Sequence, residues 1–227
     1  MNKENNSTAL RLTFENEMKA IETIYDSFPW SNKIAYGNWL AQTYYFVCHS
    51  TRLLATAAAR FNFQQNKLHL RCIDHMKEER SHEILASQDL KHLGLSIDQF
   101  PELPVTSAFY QTQYFLIEHY NPLVLFGYIL CLEGISSRRG KEACRQVVQS
   151  FGDKAAGFWK LHSEEDDGHL AQAFKQIDAS TPSEVEAISR GLVQSSALYR
   201  QLLIEVASAA GVQVDTRSPA LPKISAA

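Results

Sequence analysis

Three acid and histidine groupings stand out by residue type and spacing. His162, Asp166 and His169 lie at i, i+4 and i+7 in Lys160-Leu161-His162-Ser163-Glu164-Glu165-Asp166-Asp167-Gly168-His169-Leu170. On a helix of 3.6 residues per turn, all three side chains leave from one face. His75, Glu79 and His82 repeat that spacing upstream, and Glu133 is a lone acid in the apolar run Leu130-Cys131-Leu132-Glu133-Gly134-Ile135. Imidazoles and carboxylates without cysteine suit redox-active iron or manganese better than structural zinc. Glu79, His82, Glu133, His162, Asp166 and His169 suffice for two metal ions sharing at least one bridging carboxylate, with positions left open for dioxygen and substrate.

Any one of these histidines, taken alone, reads more simply as a packed or capping residue. As a set they share stripes with Ala155, Phe158 and Ala173, or sit among Leu130, Leu132 and Ile135. Buried ionised groups are costly unless they are paired or bind a metal. Glu164, Glu165 and Asp167 read instead as a solvated face, and their mutual repulsion with Asp166 is relieved when cations bind.

The elements that must position these residues are helical throughout. Apolar spacing predicts helices over Leu10–Phe28, Asn38–Phe63, Lys67–Leu93, Ser107–Tyr120, Pro122–Gly134 with Lys141–Phe151, Lys154–Ile177 and Pro182–Ala210. Asn66 is placed as the cap of the third helix and Gly94 as its stop. Thr181-Pro182-Ser183-Glu184 is a strong helix start. No strand-like alternation of useful length appears. The expectation is an all-α domain of about seven helices over residues 9–211, with flexible tails at 1–8 and 212–227.

A ferritin-like bundle would take one Glu from each of two helices and Glu-x-x-His from each of the other two. No Asp or Glu occurs between Asp26 and Asp74, so the second helix has no acid to donate, and His162 has no counterpart in that scheme. The ferritin pattern fails on both counts.

Glu79-x-x-His82, Leu132-Glu133-Gly134 and His162-x-x-x-Asp166-x-x-His169 resemble the three-helix ligand pattern of the heme-oxygenase-like di-iron oxidases, which include UndA-type and CADD-like proteins. The resemblance covers about residues 36 to 175. It implies a heme-oxygenase-like bundle of the TenA, PqqC and CADD type, and a centre of two Fe(II) per chain that reacts with dioxygen. Manganese is an alternative in one site, and no heme is implied. It further implies oxidation or cleavage of a small carboxylate-bearing substrate such as a fatty acid, an amino acid or a tyrosine-derived aromatic. In some members the position seven before the histidine is a carboxylate ligand, and here it is His75. Glu79 is therefore taken as the ligand, with His75 beside it as a group that orients a ligand or lines the pocket. Glu78 lies on a neighbouring face.

Arg138 and Arg139 follow Glu133 by about one turn and could hold a substrate carboxylate in a bidentate pair. Two other function classes stay open: a cofactor-free, TenA-like hydrolase with Cys131 as nucleophile, and a CADD-like protein-interaction module. The formal net charge of -3 and sequence pI near 6.2 give no electrostatic reason to expect a nucleic acid or an anionic membrane as partner. No apolar run is long enough to cross a bilayer, and the start of the chain is polar, so the expectation is a cytoplasmic protein. The four cysteines form no CxxC pair and read as buried free thiols. A small-molecule substrate is the expected partner, an external electron donor is allowed, and so is a homodimer.

Overall fold

The computed structural model describes residues 3–217, leaving out the side chains of residues 3–6 and of residues 164–167, 169, 171, 172, 176 and 179. Among the described residues there are nine α-helices and no strand: α1 (Lys3–Asp26), α2 (Lys33–Val47), α3 (Ser50–Arg60), α4 (Asn66–Glu78), α5 (His82–His92), α6 (Pro104–His119), α7 (Val124–Phe151), α8 (Gly157–Ala179) and α9 (Pro182–Ala209). The expected bundle is present, with two more helices than the sequence pattern predicts.

The difference arises at three places. The expected helix over Asn38–Phe63 starts earlier, at Lys33, because Asn32 accepts from the backbone N–H groups of Ile34 and Ala35. It then breaks at Cys48–His49, where His49 stacks on Tyr110 at 3.8 Å and meets the Tyr114 hydroxyl at 3.0 Å. The expected helix over Lys67–Leu93 breaks at Ser81, which takes a left-handed φ of 73°. Its cap also differs: Asn62 caps a short 3-10 turn, and Asn66 is already helical. In the opposite sense, the two pieces expected over Pro122–Phe151 are one continuous helix, α7. Gly134 and Gly140 do not interrupt it because neighbours need their bareness. A β-carbon at Gly134 would fall 2.6 Å from Phe14, and one at Gly140 would fall 3.2 Å from Ser163. α1 likewise begins at Lys3, before the expected Leu10.

α7 lies at the centre, packed against α1, α8 and α9, while α2 lies on α5, α3 on α4 and α5 on α8. The crossing of α7 and α9 is backbone against backbone: a β-carbon at Gly127 would fall 2.1 Å from the Ile188 carbonyl, and one at Gly191 would fall 2.0 Å from that of Val124. α2 is buried over most of its circumference, as its apolar sequence requires. Its Trp39 stacks on Trp159 at the start of α8, ring centroids 4.6 Å apart, and Trp30 packs edge-on to both. These aromatics tie the first turn of α8 to the core. Gly94, at φ 68°, ends the α5 region as the sequence indicates, and Thr181 and Glu184 form the capping box that opens α9.

Candidate metal centre

Glu79 closes α4, its N–H bonded to the His75 carbonyl at 2.9 Å, and His82 opens α5 on the far side of the left-handed Ser81. The pair that the sequence places on one continuous helix thus straddles a break. The turn still brings Glu79 Oε2 to 3.7 Å from His82 Nδ1. His162 arrives from α8. Its Nδ1 lies 2.9 Å from the Phe158 carbonyl and its ring stacks on Phe158 at 4.1 Å. An Nδ1–H donating to that carbonyl fixes the tautomer and leaves Nε2 as the donor atom for a metal. The His82 and His162 rings meet edge to face with centroids 4.9 Å apart. One donor atom each from Glu79, His82 and His162 lies within 4.8 Å of the others.

A second grouping adjoins the first. His75 is buried on α4, with Nε2 3.3 Å from Glu79 Oε1 and 3.5 Å from Glu133 Oε1. The two oxygens of Glu79 therefore face different ways, Oε2 toward His82 and Oε1 toward His75. Burial pushes the Glu79 carboxyl up, but the His75 hydrogen bond and the charges of His75, His162 and His82 outweigh it and hold the group down near 2. Glu133 is buried on α7, 6% exposed, on the same side. Asp166 and His169 fall on α8 beyond His162, and their side chains lie outside the described residues. Of the six expected ligands the structure brings four together, with His75 as a fifth member.

A two-histidine, one-carboxylate set with open positions is the donor chemistry of non-heme Fe(II) sites. A family model for iron-containing redox enzymes matches residues 37–200 of this sequence. The chain belongs to that family. No curated protein sequence matches it. Among solved structures it is similar to a domain of unknown function with a heme oxygenase-like fold from Shewanella denitrificans, at 17% identity and a TM-score of 0.76, covering 93% of this chain and 94% of that one. It is also similar to a TenA homolog from Pseudomonas syringae pv. tomato, at 11% identity and a TM-score of 0.71, covering 90% of both chains. A TenA homologue from Pyrococcus furiosus matches at 14% identity and a TM-score of 0.61, over 91% of this chain and 99% of that one. The expected heme-oxygenase-like fold is thus the fold of this iron-containing redox enzyme family member.

The donor set opens onto an internal cavity of about 80 Å³ lined by His75, Glu79, Glu133 and His162 and otherwise mainly by apolar and aromatic side chains. Its lining on α7 runs from Leu125 to Ser136, which is about 16 Å of helix rise. Its apolar lining is both aliphatic (Val47, Leu53, Leu54, Ile129) and aromatic (Trp39, Phe158, Trp159). Thr43, Tyr128 and Tyr199 also line it; none of these was singled out in the sequence, because a core aromatic and a cavity aromatic look alike along a helix.

Among the described residues no lysine or arginine lines this cavity. Arg138 and Arg139 turn instead to α1, where Arg138 pairs with Glu15 and Glu22 and Arg139 with Glu22 and Asp26. Their sequence proximity to Glu133 is real, but they leave α7 toward another helix. Glu78 also faces away, pairing with Arg71 at 3.4 Å. Cys131 is fully buried, accepts from Ser196 Oγ at 3.5 Å and has its thiol pushed up to about 12 by burial. A thiol so placed, outside the cavity lining, is a packed side chain rather than a nucleophile. No described helix is long and apolar enough to cross a membrane.

Proposed function

We propose that this chain is a non-heme iron oxidase or oxygenase that holds two iron ions and uses dioxygen to oxidise or cleave a small carboxylate-bearing substrate, a fatty acid, an amino acid or a tyrosine-derived aromatic. The observation that carries the reading is the Glu79, His82 and His162 set, of which Glu79 and His162 line a largely apolar cavity, with His75 and Glu133 adjoining through the second oxygen of Glu79.

In this reading Glu79, His82 and His162 would hold one ion and Glu133, with Asp166 and His169, the other, and His75, in contact with both Glu79 and Glu133, would orient the two carboxylates. Iron, once bound, supplies the dioxygen chemistry, and the protein supplies a dry cavity and a substrate held at a fixed distance. No cation is among the described lining residues, so the bound metal and the hydroxyls of Thr43, Ser50, Tyr128 and Ser136 would be the groups available to receive a substrate carboxylate. The aliphatic and aromatic walls then take its body.

The test is dioxygen uptake by ferrous-loaded protein against straight-chain carboxylic acids of increasing length, amino acids and tyrosine-derived acids. Uptake stimulated by one of these acids, with product formed, supports the reading. Uptake unaffected by all three classes argues for another substrate, and no uptake by iron-loaded protein argues against the oxidase reading itself.

A further inference from the structure

α8 has no capping side chain of its own. Ala156 precedes it and makes no side-chain hydrogen bond to its first turn. The first N–H groups of a helix must go somewhere when buried, and here they go to another helix. Gly157 N donates to Asp89 Oδ1 and Phe158 N to Asp89 Oδ2, each at 2.9 Å. Asp89 is on α5 and only 2% exposed. Gly157 is what lets it in, since a β-carbon there would fall 2.9 Å from Asp89 Oδ1.

The same two helices carry two of the candidate ligands. On α5, Asp89 follows His82 by seven residues, two turns along one face; on α8, His162 follows Phe158 by four, one turn along one face. α5 and α8 are therefore joined at two points, carboxylate to helix N-terminus and imidazole to imidazole. We infer that Asp89 is a positioning residue that fixes α8 against α5 and so sets the distance of His162 from His82 and Glu79. Two hydrogen bonds from one carboxylate to successive backbone N–H groups restrain both the slide and the rotation of the first turn, and His162 lies one turn further along. Burial of Asp89 opposes its ionisation and holds its carboxyl up near 6 despite the two backbone donors.

This inference rests on the proposed reading of His82 and His162 as ligands, and its test separates the two. The metal-free protein is compared with Asp89→Asn and with the pair Asp89→Ala/Gly157→Asp, which returns a carboxylate to the first turn of α8 but detaches it from α5. The readouts are the contact between the His82 and His162 rings by NMR, amide exchange in the first turn of α8, and affinity for ferrous ion. A positioning role predicts that the double variant keeps a protected first turn but loses the ring contact. Both variants should then bind ferrous ion about tenfold to a hundredfold more weakly, the range for groups that orient ligands. A ring contact and affinity that survive in Asp89→Asn, or return in the double variant, would make Asp89 a helix cap only and overturn the inference. Wild-type protein that binds no ferrous ion defeats the proposed function, while the ring contact still decides the role of Asp89.

Discussion

Glu79 and His82 are three residues apart and sit on opposite sides of a helix break, yet Glu79 Oε2 lies 3.7 Å from His82 Nδ1. The left-handed Ser81 makes this possible by ending α4 and restarting α5 in a new direction. A left-handed conformation costs a non-glycine residue about 1–2 kcal/mol, more for a β-branched one. Ser81→Val is therefore expected to lower unfolding stability by about 1–2 kcal/mol and to weaken ferrous binding, whereas Ser81→Gly should leave both intact. Chemical denaturation and metal titration of the two variants check this.

The contacts of His75 with Glu79 and Glu133 divide the donors into two adjoining groups. Removing His162 takes a donor from the first group, so His162→Ala should abolish dioxygen turnover and cut ferrous affinity at least about a hundredfold while circular dichroism stays helical. Glu133→Gln takes a negative donor from the second group alone. It should reduce bound iron from two ions per chain to one, as read by metal analysis after desalting.

Asp89 gives stability a pH dependence of a particular sign. Its carboxyl is raised to about 6 by burial, with Phe158 N–H, Gly157 N–H, His92 and Lys160 pulling the other way. A carboxyl raised in the folded state contributes stability that is complete below its ordinary value of 3.8 and is lost as pH rises through about 6. The wild type should therefore lose up to about 3 kcal/mol relative to Asp89→Asn across that interval. Denaturation midpoints of both proteins on either side of it measure the difference.

The two glycines at the α7–α9 crossing and Gly168 in α8 make opposite predictions. Gly127→Ala and Gly191→Ala each drive a β-carbon to about 2 Å from a backbone carbonyl, so each should cost about 3 kcal/mol or more, or prevent folding. Gly168 has nothing within 4 Å of where its β-carbon would stand. Gly168→Ala should raise stability by about 0.5–1 kcal/mol through helix propensity. Thermal melts of the three variants suffice.

His75 and Glu79 were legible as neighbours because they are one turn apart, and His162 because it lies on an inward face of its helix, whereas His82 joins them across the break at Ser81. Gly94 and the Thr181 capping box were also legible, since a local residue dictates a local conformation. The breaks at Ser81 and at Cys48–His49 were not, because neither carries glycine or proline and the His49 break is held by Tyr110 and Tyr114 from another helix. The stretch between Gly134 and Lys141 was read as a gap between two helices, but the missing side chains of Gly134 and Gly140 admit Phe14 and Ser163 to one continuous helix. Arg138 and Arg139 could be assigned to α1 only once α1 was seen beside α7. Asp89 gave no signal, because its partners are backbone N–H groups remote in sequence.

Anaerobic reconstitution with ferrous iron, followed by metal analysis and rapid mixing with oxygenated buffer, tests the central claim most directly. Two irons per chain and a transient visible absorption after mixing, both lost in His162→Ala, are the predicted result. Protein that binds no iron specifically, or that binds iron without responding to dioxygen, would contradict the account.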